Sequence, residues 1–188
     1  MKRVTTLLVA VTALACFIGF RTPASGQPDD GAAPIYGVKL PSGYRDWRMI
    51  SVAHVGDPVN DLRVKLGNDL AIKAYQDGTS FPDGAIIARL AYHAVTSEEN
   101  NKVFRAAAER QGLPPEQITK LLDASFVAGP PTNVQFMVKD SKKYASTGGW
   151  GFAQFTNGKP DGEELHKTCF PCHAPAKDHD FVFTRYSP

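Results

Sequence analysis

Five residues near the end of the chain, Cys169-Phe170-Pro171-Cys172-His173, constrain this sequence more than any others. C-x-x-C-H is the spacing by which a porphyrin is joined to a polypeptide. Two thiols three positions apart reach the two vinyl groups on one porphyrin edge, and a histidine directly after the second is held beneath the iron as its axial ligand. Any fold built around the motif must leave space for a flat, largely apolar cofactor against that histidine. With three cysteines and five histidines in 188 residues, chance sets this pattern in about one such chain in a thousand. Three other readings compete. A thioredoxin-like redox pair opens a helix after a strand, whereas this motif closes a helix. A structural disulfide is the second. A zinc site is the third, but the remaining candidate ligands, His166 and His179, match no familiar finger spacing. The expected cofactor is one covalent haem c, held by Cys169 and Cys172, with its iron on His173.

The start of the chain fits that chemistry, which follows export. Lys2 and Arg3 precede an apolar run over residues 4–20, and Ala24-Ser25-Gly26 offers small residues for cleavage before Gln27. Residues 1–26 are therefore expected to be a secretory signal peptide and the protein periplasmic. A permanent anchor is the alternative, with a run at the lower limit of spanning length. Cys16 offers a lipid-attachment reading, yet the apolar run continues past it through Phe17, Ile18 and Phe20. Removing Lys2, Arg3 and Arg21 with the leader turns the formal charge of +2 into about −1, a balance that suggests no nucleic-acid partner.

Residues 27–43, rich in Pro, Gly and Asp, read as an extended arm, and residues 44–188 as a single domain. Alternation predicts a strand over residues 45–54, buried on part of both faces, and a second over 62–66. Asn68 caps a helix over 69–76 that Gly78 closes. A turn at Phe81-Pro82-Asp83-Gly84 leads to a strand over 85–95. Helices follow from Ser97 to Arg110, stopped by Gly112, and from Pro115 to about Ala124. Further strands are expected over 134–138 and 150–155, with a short helix near 140–146. Asp161 and Glu164 have capping-box spacing ahead of the motif helix, and residues 181–186 read as an edge strand. The expected fold is α+β: a mainly antiparallel sheet of about five strands with peripheral helices, the haem motif lying on a C-terminal helix.

A strand-rich domain ending in this motif resembles the cytochrome P-460 family, which includes the β-type cytochromes c′. The resemblance rests on blocks in order: Pro41 to Trp47, Phe81-Pro82-Asp83-Gly84, Val138-Lys139-Asp140-Ser141, Trp150-Gly151-Phe152, Cys169 to His173, and Phe181-Val182-Phe183-Thr184-Arg185-Tyr186. It implies a homodimer with an open distal iron position, binding nitric oxide or a similar small ligand, or oxidising hydroxylamine. The hydroxylamine oxidisers join a lysine to the porphyrin. The matching position here is Arg89, which stays protonated and is no practical nucleophile; this departure counts against an oxidase. If the register were shifted, Lys65, Lys73 or Lys102 would stand in for that lysine. Arg63, in Asp61-Leu62-Arg63-Val64, matches a distal arginine of the family. Arg63 and Arg89 are thus the distal candidates, each with a plainer reading as an exposed strand residue.

Three functions follow as expectations. The first is a five-coordinate haem protein that binds a small gas or nitrogen oxide. The second is an electron carrier with a redox protein partner, which would favour a sixth ligand such as methionine. The third is an oxidoreductase acting on hydroxylamine or peroxide. His54, His93, His166 and His179 read as surface or structural residues, and Met49 and Met137 as core.

Overall fold

The computed structural model describes residues 31–187. The leader and Cys16 lie outside the described residues. Among these, no helix is long and apolar enough to cross a membrane.

The fold is α+β. Six antiparallel strands lie in chain order: β1 (Arg48–Val55), β2 (Asp61–Gly67), β3 (Ile86–Val95), β4 (Val127–Lys139), β5 (Trp150–Thr156) and β6 (Lys159–Pro160). The sixth is a two-residue addition to the expected five. Each connection joins adjacent antiparallel neighbours, so the sheet is a meander. Central β3 is buried on both faces, as its near-continuous apolar sequence requires.

Helix α1 (Asp69–Asp77) starts where Asn68 turns the chain off β2. Asn68 Oδ1 accepts from the N–H groups of Ala71 and Ile86, each at 3.0 Å, while its Nδ2 donates to Gly84 O at 2.8 Å. One side chain therefore caps the helix and aligns the start of β3. Gly78, at φ 64°, ends α1 in the left-handed region. The helix buries Ala71, Ile72 and Ala74 in a core with Ile50, Leu66 and Phe81.

Helices α2 (Glu98–Arg110) and α3 (Pro115–Asp123) form a hairpin inserted between β3 and β4. It has its own small core of Ala108, Ile118 and Leu122. Strand β4 starts earlier than alternation predicts. Register shifts around Tyr92 admit Pro131 to the ladder, since bulges tolerate a residue without an N–H.

Several expectations are corrected. From Gly31 onward the supposed arm is packed, with Ala33, Tyr36 and Val38 in the core; the Tyr144 hydroxyl donates to Tyr36 O at 3.0 Å. The first strand begins at Arg48, after a 3-10 turn over Tyr44–Asp46. It buries Ile50 and Ser51 but leaves Met49 43% exposed, so Met49 is not core; Met137 is. The short helix near 140–146 is a 3-10 turn, Ala145–Thr147. The capping box does not form. Gly162 is the N-cap of α4 (Glu163–Lys167), without a side-chain bond. The Asp161 carboxylate instead accepts from Gln154 Nε2 at 2.7 Å and Thr156 Oγ1 at 3.0 Å.

Residues 181–186 are not a strand either. Asp180 and Phe181 both take positive φ, 52° and 62°, which breaks any extended run. The carbonyls of Phe181 and Thr184 accept from His173 Nδ1 and the Tyr75 hydroxyl, so they are spent on side chains. Only Ser187 N–H reaches the edge of β1, at Ile50 O, 2.8 Å.

Candidate haem site

The motif forms its own short helix, α5 (Cys169–His173), one residue after α4. Cys169 is half-buried and Cys172 exposed, both as free thiols. Burial, with the Cys172 charge next, raises the Cys169 pKa.

Phe152 of β5 packs on the His173 ring at 5.0 Å and Phe183 packs at 5.2 Å, so the imidazole is clamped. Its Nδ1 lies 2.8 Å from Phe181 O. A carbonyl only accepts, so Nδ1 carries the proton and Nε2 keeps its lone pair for a metal. Burial, opposed by that hydrogen bond, lowers the His173 pKa and keeps the ring neutral.

What aims the Phe181 carbonyl is Asp180. Its carboxylate accepts from Lys139 Nζ at 2.6 Å and from Phe81 N–H at 3.1 Å, and its carbonyl accepts from Trp150 Nε1 at 2.8 Å. Gly148 lets Phe181 in: a Cβ there would stand 2.1 Å from the Phe181 ring, at a φ of +67°. Asp83 makes two bonds to Ser141, accepting from its N–H at 2.7 Å and its Oγ at 2.8 Å. Sequence blocks remote along the chain, those of Phe81, Lys139, Trp150 and Phe181, thus meet around this proximal support.

His173 and Cys172 form one end of a cavity of about 720 Å³ between the sheet and residues 182–187. That size lies within the range of about 300–1,000 Å³ usual for cofactor pockets. Ile87, Met137, Val182 and Phe183 give it apolar walls, and Arg63, Lys65, Arg89 and Gln135 line it with polar groups. Both arginines named from sequence are therefore brought into the cavity. Sequence reasoning named Lys65 only as a register alternative and missed Gln135; pairing explains both, since Lys65 lies opposite Arg89, and Arg89 opposite Gln135. Asp180 was missed too, having no motif to mark it.

Arg63 Nε donates to Asp61 Oδ1 at 2.8 Å. Arg89 donates through Nη2 to Asn133 Oδ1 at 2.7 Å, but its buried Nε has no partner. Burial, then Arg63, brings the Arg89 pKa down to about 10, leaving it cationic at neutral pH. Lys65 is lowered by burial first, then by Arg63 and Arg89.

The other histidines do not face this cavity. His166 is fully buried, with Gln154 N–H donating to its Nε2 at 3.0 Å and its Nδ1 against Gly162 O at 2.9 Å. Both nitrogens are used, so it cannot also ligate a metal. Among the described residues no group of three or more His, Cys, Asp or Glu side chains is placed to hold a metal ion. A free Nε2 over an apolar-walled cavity, with two thiols beside it, fits a porphyrin that brings its own four nitrogens.

Fold and site together define a haem-binding cytochrome. The sequence model of the family described as Cytochrome P460 matches residues 41–184, and the chain belongs to that family. No curated protein matches it.

Proposed function

We propose that this protein is an exported mono-haem cytochrome c. Cys169 and Cys172 carry the haem as thioethers, His173 is its one protein ligand, and the open face takes nitric oxide or a similar small ligand. When bound, the haem supplies an iron centre that can accept a sixth, exogenous ligand. The observation that carries the reading is the cavity itself, which reaches from His173 to Arg63 and Arg89 and has no second histidine in its walls. His173 presents Nε2, and its Nδ1–H bond to Phe181 O holds the ring's orientation. Arg63 and the free Nε of Arg89 are donors for a polar diatomic or an anion. The apolar walls limit the water available to compete. A periplasmic location and a homodimer complete the proposal.

Arg89 in place of a lysine argues against hydroxylamine oxidation. A second reading, electron transfer, has one observation behind it: Met137, whose thioether is the sixth ligand that reading needs, lines the cavity. The ferrous spectrum with and without carbon monoxide separates the two. A high-spin spectrum that shifts at once on adding the gas is expected. An inert low-spin spectrum that becomes reactive in Met137→Ala would establish the carrier.

A further inference from the structure

We propose that Arg63, Lys65 and Arg89 form a binding site for one small planar oxyanion, of the nitrite or carboxylate type. Lys65 and Arg89 stand directly opposite each other on β2 and β3, with Arg63 two residues along the Lys65 strand. Like charges directly opposite in a sheet repel. The cavity walls contain no carboxylate to offset them. Asp61, hydrogen-bonded to Arg63, offsets the charge of Lys65 and Arg89 only in part. Lys65 makes no hydrogen bond or ion pair among the described residues, and the buried Nε of Arg89 lacks an acceptor. A desolvated donor without an acceptor is costly, and a planar anion removes that cost while neutralising part of the charge.

Burial first, and neighbouring arginine charge second, lowers the pKa of Lys65 and of Arg89. Ser51, opposite Lys65, and Gln135, opposite Arg89, continue the polar row on either side. Gln135 Nε2 donates to Gln154 Oε1, whose own Nε2 donates to Asp161. The Gln135 amide is thereby held with its carbonyl oxygen away from that bond. Two sources offer the required chemistry: a free oxyanion, or a carboxylate of the porphyrin. The site depends on the haem reading only for this second source and for the optical signal. Carbon monoxide binding, which tests the gas-ligand reading, is uncharged and is scored separately.

The test is calorimetry of the ferric holoprotein with nitrite and, separately, formate, alongside midpoint potentials for wild type, Lys65→Gln, Arg89→Gln and Arg89→Lys. Near-ultraviolet dichroism checks that each variant is folded. One equivalent of either anion should bind, in competition. Affinity should fall at least tenfold in Lys65→Gln and Arg89→Gln, and Arg89→Lys should restore most of it. If wild type takes up neither probe, yet both glutamine variants shift the midpoint potential and Arg89→Lys does not, the porphyrin carboxylate is the occupant. Binding that both glutamine variants leave unchanged overturns the proposal, as does a protein with neither anion uptake nor a potential shift.

Discussion

His173 Nδ1 donates to the Phe181 carbonyl at 2.8 Å, and the residue before that carbonyl, Asp180, gathers Lys139, Phe81 and Trp150. The orientation of the His173 imidazole is therefore set by residues from three distant parts of the chain. Asp180→Asn keeps the volume but leaves Lys139, 11% exposed, without its counter-charge. Removing one partner of a buried pair costs about 3 kcal/mol. Denaturant unfolding of the holoprotein should show that loss together with a shifted midpoint potential, because the proximal hydrogen bond loosens. Stability and potential both equal to wild type would remove Asp180 from this role.

Attachment is tested by chemistry. Wild type should retain its haem in acidified organic solvent, and Cys169→Ala with Cys172→Ala should release it. His173→Ala should keep the thioethers and lose the proximal ligand, visible as an altered ferric spectrum. An unchanged spectrum would mean another residue ligates the iron.

Arg89 sets the expected mass: mature polypeptide plus one haem joined by two thioethers. Proteolysis should give a single haem peptide containing Cys169 to His173, and the ferrous protein should lack the long-wavelength band of a ring-modified porphyrin. The structure narrows the lysines that could upset this. Lys73 pairs with Asp77 on the exposed side of α1 and Lys102 is exposed on α2, but Lys65 lines the cavity. A second haem peptide would have to contain Lys65.

Lys65 also gives a pH dependence. Its folded pKa lies below the ordinary lysine value of 10.5, so the charged form is penalised in the native state. Below the folded value the penalty is complete. Between that value and 10.5 the unfolded chain binds more protons, and stability rises with pH. In buffer free of small oxyanions, Lys65→Met should be more stable than wild type by about 0.5–1 kcal/mol at pH 7. That gap should narrow as pH approaches 10.5. A gap that widens with pH would contradict the assignment.

The hairpin of α2 and α3 should be dispensable to the haem site. Val95 and Val127, on either side of it, are paired in the ladder, and its core is separate. Replacing residues 96–126 by Asn-Gly, a two-residue hairpin turn, should leave the haem spectrum unchanged. A lost or altered Soret band would show that the hairpin supports the pocket.

Local chemistry is legible in the sequence itself. Asn68, Ser97 and Pro115 open helices where capping rules put them, because a cap depends on a few consecutive residues. Alternation locates five strands for the same reason. The motif names its cofactor because thiol and imidazole spacing is a property of five adjacent residues. Local reasoning fails where a side chain finds a better partner far away. Asp161 is taken up by Gln154 and Thr156 rather than by a helix N-terminus. Residues 181–186 cannot run as a strand once His173 and Tyr75 have taken their carbonyls. Above all, register decides the site. Nothing along the chain says that Lys65 meets Arg89, or that Asp180 aims the carbonyl behind His173. The first pairing joins neighbouring strands across an intervening helix and turn, and the second gathers four separate segments. Only the assembled sheet, with its C-terminal segment folded across it, places them within reach of one cavity.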